Sequence, residues 1–276
     1  MATSEPERAA PAVKAAPRRR SRAGASLRFA DESAFVLHSW PYKETSLIID
    51  ALTRNHGRVA LVARGAKRPH SALRGTLQSF APLSLSWIRS ASKGGELGTL
   101  TRAEWQGGLA PLRGEGLLCG FYLNELILKL LARDDAHEAL FDAYLHALAR
   151  LAAGLPVAAT LRCFEAALLR EAGYGLQLAQ GADGLAIRPE GLYRYLPEHG
   201  AVALRTANAS GPGGQGGAQG GLAVVNGKTL LDIAADDYSD PITLAQGKLL
   251  MRQVLQHHLA GQTLFTRQML LDLQNI

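Results

Sequence analysis

The chain has 276 residues, of which 47% are hydrophobic and 6% aromatic, with 30 Lys and Arg against 24 Asp and Glu. This length allows one large domain or two smaller ones, and two cysteines exclude both a disulfide framework and a four-thiolate zinc site. No apolar run approaches the roughly 18 residues of a membrane-spanning helix, so we expect a cytoplasmic protein with no membrane partner.

The excess positive charge lies in the first two-fifths of the chain. Residues 1–26 carry six basic and two acidic side chains, and residues 27–107 carry eleven and six, whereas residues 108–276 have a small acidic excess. Residues 1–26 are also rich in Ala, Pro, Ser and Arg, a composition that buries too little apolar surface to fold. We predict a disordered basic tail, either an arm that attracts nucleic acid or a solvated extension.

Residues 27–107 are predicted to form a small Greek-key barrel of the OB type. Short runs rich in Val, Ile and Leu, or alternating in polarity, indicate five strands, at 34–39, 46–53, 58–63, 83–88 and 97–105. The Asn55-His56-Gly57 segment between the second and third runs is typical of a hairpin. Five short strands joined mostly by tight turns favour a barrel over a sandwich.

From residue 117 onward the apolar period becomes that of helices. The pattern predicts four helices, at 117–133, 136–153, 157–173 and 243–260. Short strand-like runs indicate a β-lobe inserted at about 177–240, with strands at 185–195, 201–205, 222–225 and 228–230. The last two runs flank Asn226-Gly227 and predict a hairpin, and residues 211–221 form a Gly-rich loop. The predicted fold class is therefore α+β and multi-domain, with the OB-type barrel followed by a mainly helical domain at 108–276.

The densest cationic stretch runs from residue 54 to residue 74, with six basic side chains and no acidic one. Mobile cations on a barrel face bind backbone phosphates without reading bases, so this stretch predicts a nucleic-acid-binding surface. Together with two further basic residues of the barrel, the candidate binding residues are Lys43, Arg54, Arg58, Arg64, Lys67, Arg68, Arg74 and Arg102.

Four aromatic residues of the barrel region are candidates for base stacking: Tyr42, Phe80, Trp87 and Trp105. Large rings in small barrels usually pack inward. We therefore expect Phe80, Trp87 and Trp105 in the core and only Tyr42 exposed.

The sequence predicts neither a catalytic site nor a cofactor. Gly227-Lys228-Thr229 matches the end of a phosphate-binding P-loop, but the glycine required five positions earlier is Leu222. The eight histidines are scattered, and neither cysteine lies in a pattern typical of a nucleophile.

Several blocks in order closely resemble the RecO family of bacterial recombination mediators. They are FVLHSWPYKETSL at 35–47, TRNHGRVALVARGA at 53–66, LRGTLQSFAPL at 73–83, ELGTLTRAE at 96–104, YLNEL at 122–126, LRCFEAALL at 161–169 and GYG at 173–175. The match is good over residues 33–176 and weak beyond them.

The resemblance implies a DNA-binding OB fold, a helical domain and a small zinc-ribbon-like lobe. It implies binding to single- and double-stranded DNA, annealing of complementary strands without ATP, and binding to the acidic, Phe-ended tail of single-strand-binding protein. It further implies a partnership with RecR, an indirect one with RecA, and a cytoplasmic, nucleoid-associated location. The family position for an arginine that captures the tail carboxylate falls on Arg162, which by residue pattern alone is an exposed helix arginine paired with Glu165.

The chain departs from the zinc-bearing members of the family. Residues 177–195 contain no Cys and no His, so we expect no metal site. Two other hypotheses remain open, an OB-fold RNA-binding protein acting in translation or ribosome maturation and a purely protein-binding adaptor.

Overall fold

The computed structural model describes residues 26–90, 97–204, 223–266 and 268–269. The predicted basic tail, except for residue 26, and the predicted Gly-rich loop lie outside these ranges.

The N-terminal domain is a five-stranded barrel, as predicted. Its elements are β1 (Ser26–Tyr42), β2 (Ser46–Thr53), β3 (Gly57–Ala63), the short helix α1 (Ala72–Thr76), β4 (Leu83–Ser90) and β5 (Leu97–Trp105). The pairings close the barrel in the order β1-β2-β3-β5-β4, with β3 parallel to β5 and β1 paired back onto β4. This order, with a helix between β3 and β4, is the OB-type arrangement.

Strand β1 is much longer than the predicted 34–39 run. Its first half pairs with β4 and its second half with β2, and register shifts between Phe29 and Glu32 and between Val36 and His38 interrupt the two ladders. Such irregularities bend a strand, which lets one strand serve two sides of the barrel. The sequence pattern missed residues 26–33 because they are mostly exposed and show no apolar alternation.

Side chains on the two faces of the barrel sheet pack into different hydrophobic cores. Inward-facing side chains such as Val36, Ile49 and Trp87 fill the barrel. Phe35 and Leu52, which are paired across β1 and β2, belong instead to the core of the helical domain. The two domains therefore share a continuous apolar contact.

The second domain is mainly helical, as predicted. Its helices are α2 (Gly114–Leu130), α3 (Glu138–Ala152), α4 (Val157–Glu171), α5 (Gly227–Ala234) and α6 (Pro241–His258). Between α4 and α5 lie β6 (Leu192–Leu196), β7 (Gly200–Ala203) and β8 (Val224–Asn226), which form a sheet in the order β7-β6-β8. Asp240 caps α6 by accepting a hydrogen bond from the Ile242 amide, and Pro241 occupies the first turn.

The predicted hairpin around Asn226-Gly227 is wrong. Residues 228–230 belong to α5, and β8 pairs with β6 rather than with a following strand. A three-residue apolar run cannot distinguish a strand from a helix, and the buried Leu230 and Ile233 have the spacing of a helix face. A side chain at Gly227 would overlap the carbonyl oxygen of Arg188, so this glycine serves a close approach of two backbones.

The predicted strand at 185–195 is also shorter than expected. Only Leu192–Leu196 is a strand. The preceding residues form a loop with an isolated bridge between Gln180 and Ala186. Hydrogen bonds within this loop pair several of its backbone N–H and C=O groups, so these groups do not need a neighbouring strand.

Candidate nucleic-acid interface and peptide pocket

The loop after β3 folds against the turn between β1 and β2. The Lys67 amide donates to the Thr45 carbonyl at 2.9 Å, and the Gly65 amide lies 3.4 Å from the Ser46 hydroxyl oxygen that accepts from it. Gly65 has a φ of 70°, a conformation that favours glycine. This contact gathers four exposed cations at one end of the barrel, here named the basic rim: Lys43, Arg64, Lys67 and Arg68.

Arg74 is exposed on α1, after the loop that carries most of the basic rim. Arg102 is exposed on β5, but its guanidinium forms ion pairs with Asp31 at 3.3 Å and Glu104 at 2.7 Å. An acidic neighbourhood weakens attraction for phosphate. Arg74 therefore remains a candidate for binding phosphate beside the basic rim, whereas the donors of Arg102 are engaged by carboxylates.

Arg58 lies at the junction of the two domains rather than on a free surface. Its side chain is 13% exposed and donates hydrogen bonds to the main-chain carbonyls of Leu128 and Leu131 at the end of α2. Its Nε forms an ion pair at 3.2 Å with the Asp50 carboxylate, which is 1% exposed and accepts a hydrogen bond from Arg133 at 2.8 Å. Because these contacts engage its guanidinium, Arg58 serves the domain junction and is not available to bind phosphate.

Arg54 also joins the two domains. Its guanidinium donates to both carboxylate oxygens of Asp142 on α3, a bidentate pair with both partners partly exposed. The pairing raises the pKa of Arg54 through the hydrogen bonds and the charge of Asp142. A phosphate would have to compete with this carboxylate for the same donors.

The aromatic predictions hold for two of the four rings; Tyr42, expected to be exposed, is half-buried. Trp87 and Phe80 are buried, as expected, but Trp105 is 66% exposed. Trp105 is the last residue of β5, where the chain leaves the barrel, so its ring lies beyond the packed interior. The sequence reasoning also missed Trp40, which is 40% exposed on β1.

His38, Trp40 and Tyr42 form an aromatic stripe on the outer face of β1. They are spaced two residues apart, the signal that could have revealed them in the sequence, and the His38 and Trp40 ring centroids are 4.5 Å apart. The Lys43 ammonium lies 5.3 Å from the centre of the Tyr42 ring, so the stripe leads to the basic rim.

A pocket of about 510 Å³ opens between α2, α4, α6 and the chain after α6. Its apolar lining includes Leu161, Leu249 and Leu259, and its exposed cations are Lys248 and Arg252 on α6. The volume is in the range of sites that enclose a large side chain or a small ligand. The sequence reasoning missed both cations, although their four-residue spacing places them on one helix face.

Arg162 lies in the wall of this pocket and is buried rather than exposed. Its guanidinium forms an ion pair with the buried Glu165, which also accepts a hydrogen bond from the Tyr122 hydroxyl at 2.7 Å. Burial raises the pKa of Glu165, against the opposing effects of Arg162 and Tyr122. The Arg162 Nε and one Glu165 oxygen are buried without a hydrogen-bond partner among the described residues, and both residues line the pocket.

The C-terminal segment, residues 263–266, crosses α2 and closes one side of the pocket. Glu125 accepts hydrogen bonds from the Phe265 amide, the Thr266 amide and the Thr266 hydroxyl, and Lys129 donates to the Thr263 carbonyl. Burial acts to raise the pKa of Glu125, but these hydrogen bonds outweigh it and the net pKa is lowered. A partly buried carboxylate on α2 thus anchors this segment.

Within the described residues, His, Cys, Asp and Glu side chains do not gather in groups of three that could hold a metal ion. Over the same part of the chain, the helices are too short or too polar to cross a membrane.

Two family models cover most of the chain. Residues 27–108 match the model described as Recombination protein O N terminal, and residues 112–267 match Recombination protein O C terminal.

Curated relatives agree with the family models. The DNA repair protein RecO of Ralstonia nicotianae is 55% identical over 254 residues, which cover 92% of this chain and 88% of the relative. The RecO protein of Burkholderia pseudomallei is 51% identical over 275 residues, covering 100% and 94%, and that of Dechloromonas aromatica is 50% identical over 248 residues, covering 89% and 96%.

Proposed function

The chain belongs to the RecO family of DNA repair and recombination proteins, and from that premise we propose that it acts as a recombination mediator. It binds single- and double-stranded DNA and anneals complementary strands without ATP. Together with RecR it helps to load RecA onto DNA that is coated with single-strand-binding protein. It does so as a non-enzymatic, cytoplasmic and nucleoid-associated protein that needs no cofactor.

The basic rim is the observation that best supports DNA binding. Four exposed cations meet at one end of the barrel. Of the two acidic residues between them in sequence, Glu44 in the β1–β2 turn is exposed and Asp50 is buried. Each phosphate that they neutralise releases a counterion, so four contacts give a slope of about −2.8 in log affinity against log salt for a single strand. The rim reads no base edges, as expected for a protein that acts on many sequences.

Charge reversal on the rim tests this surface. Lys67→Glu and Arg68→Glu should each weaken binding to a fluorescein-labelled single strand and reduce the salt slope by about 1. Arg170→Glu, an exposed cation on the helical domain, is the matched control with the same change in net charge. Equal losses in all three variants would mean that overall charge, and not the rim, governs binding.

The pocket supports the proposal that the helical domain binds the tail of single-strand-binding protein. A Phe ring fits the apolar lining, while Lys248 and Arg252 meet the acidic residues of the tail. The Arg162 charge is partly compensated by Glu165, so we assign the terminal carboxylate to Arg162 acting together with the two exposed cations.

Titration of an acidic peptide that ends in Phe tests the pocket. Arg252→Glu and Arg162→Ala should each weaken binding at least about tenfold, since a hydrogen bond to a charged group contributes roughly 1.5–3 kcal/mol. Arg162→Ala removes the ion-pair partner of the buried Glu165 and can disturb folding. The exposed Arg252→Glu variant tests the pocket without this effect. A peptide with an amidated C-terminus lacks the terminal carboxylate and serves as the control. Equal affinity for the free-acid and the amidated peptide would contradict the assignment of the carboxylate to these cations.

Annealing of complementary strands coated with single-strand-binding protein joins the two sites. We expect ATP-independent annealing that weakens with salt and fails in the Arg162→Ala variant. A protein with no annealing activity that prefers RNA over DNA would favour a role in translation or ribosome maturation. A protein that binds the peptide but neither nucleic acid would favour the adaptor hypothesis.

A further inference from the structure

The aromatic stripe on β1 lies on the part of the barrel face that the helical domain leaves open. Register pairs across β1, β2 and β3 show which residues share this face. Near the junction, His38 is opposite the buried Asp50, while farther along Trp40 is opposite Ile48, which is opposite Val62. Ile48 and Val62 are only half-buried, so a small apolar floor surrounds the exposed Trp40 ring.

We infer that Trp40 is a base-stacking residue that holds unpaired nucleotides of single-stranded DNA on this face. The inference rests on the proposed DNA-binding function and specifies the ligand, an unpaired base whose strand continues along the basic rim. Trp40 is about 7 Å along β1 from Tyr42, two residues at roughly 3.4 Å each, and the Lys43 ammonium lies over the Tyr42 ring, so one DNA strand can contact both Trp40 and Lys43. Aromatic faces on OB-type barrels bind bases regardless of sequence because every base has a π-face.

Charge complementarity selects Trp40 over the more exposed Trp105. The stripe ends at the basic rim, and the one carboxylate opposite it, Asp50, is already paired with two arginines. Trp105 is adjacent in sequence to Glu104, which lines a groove together with Asp31, and both carboxylates pair with Arg102. A phosphate backbone would be repelled there and attracted at the rim.

The orientation of the Trp40 ring is restricted by its neighbours. The His38 ring meets it edge to face, with an interplanar angle of 70°. Ile48 lies directly across the strand pair. A ring that is held on one side and exposed on the other presents a face for stacking without a large entropy loss on binding.

The test compares three probes of equal length: an oligo-dT strand, a strand of abasic residues and a DNA duplex. Trp40→Ala should weaken oligo-dT binding about 5- to 150-fold, the range that corresponds to 1–3 kcal/mol for one stacked base. Binding to the abasic strand and to the duplex should remain within about twofold of the unsubstituted protein, because neither offers an unpaired base. Trp40→Phe should retain most of the oligo-dT affinity, and Trp40→Leu, which keeps apolar cover but removes the ring, should lose it.

Trp105→Ala is the matched control and should leave all three affinities unchanged. Tryptophan fluorescence gives an independent signature, since oligo-dT should quench the emission of the unsubstituted protein and of Trp105→Phe but not of Trp40→Phe. Equal losses on oligo-dT and the abasic strand, or no loss on oligo-dT, would overturn the role of Trp40 while leaving DNA binding intact. Failure of the unsubstituted protein to bind any of the three probes would overturn the proposed DNA-binding function itself.

Discussion

Replacing Arg58 with alanine should destabilise the protein and leave its affinity for DNA nearly unchanged. The substitution removes the guanidinium that joins β3 to the end of α2 through the carbonyls of Leu128 and Leu131. It also removes one of the two arginines beside the buried Asp50. The prediction therefore separates an arginine of the domain junction from an arginine of the DNA surface.

The expected loss follows from the burial of Asp50. Breaking a buried ion pair by removing one partner costs roughly 3–5 kcal/mol, because the remaining charge is left uncompensated. Arg133 still contacts the other carboxylate oxygen of Asp50 at 2.8 Å, so the loss should fall at the lower end, about 3 kcal/mol. In an Asp50→Asn background the same substitution should cost at least about 1 kcal/mol less, since no buried charge remains.

Urea denaturation followed by tryptophan fluorescence measures the change, because Trp87 reports on the barrel core. Arg64→Ala, an exposed cation of the basic rim, is the matched control and should change stability by less than about 0.5 kcal/mol. DNA affinity is measured on the same two variants, and only Arg64→Ala should weaken it. An Arg58→Ala protein of unchanged stability and reduced DNA affinity would refute the structural role.

Three further predictions concern other parts of the structure. Gly57→Ala should lower Tm strongly, because its φ is 62° and the added Cβ would overlap the carbonyl oxygen of Asp135, whereas Gly75→Ala meets open space and should not. Glu125 has a lowered pKa in the folded protein. Its anchoring of the C-terminal segment should therefore persist above the ordinary carboxyl pKa of about 4.3 and be lost as pH falls through the lower pKa of the folded state. Hydrogen exchange of the amides in this segment would detect the loss. Exchange that is unchanged between neutral and strongly acidic pH would contradict this. Burial, with a smaller effect of a nearby carboxylate, raises the pKa of Cys119 to about 11, so alkylation by iodoacetamide at pH 8 should be at least about a hundredfold slower in the folded protein than in urea.

Much of the architecture was predictable because it depends on local periodicity. Runs rich in Val, Ile and Leu located β2 and β3, alternating polarity located β4, and three- and four-residue spacing located the long helices. Where a run was too short to show a period, as at residues 228–230, the prediction was wrong. The exposed half of β1 was missed for a related reason, since a strand held mainly by backbone hydrogen bonds has no apolar pattern.

The sequence by itself determined the family, the α+β organisation and the concentration of positive charge on the barrel. Only the tertiary structure sorted those charges, because the groups that accept hydrogen bonds from Arg58 and Arg54 lie 70 to 88 positions farther along the chain. The same holds for the rings, since Trp87 and Trp40 both lie on barrel strands and only packing decides which is enclosed. Hydrophobic periodicity depends on neighbouring residues in the sequence, whereas burial depends on contacts with residues that are distant in the sequence.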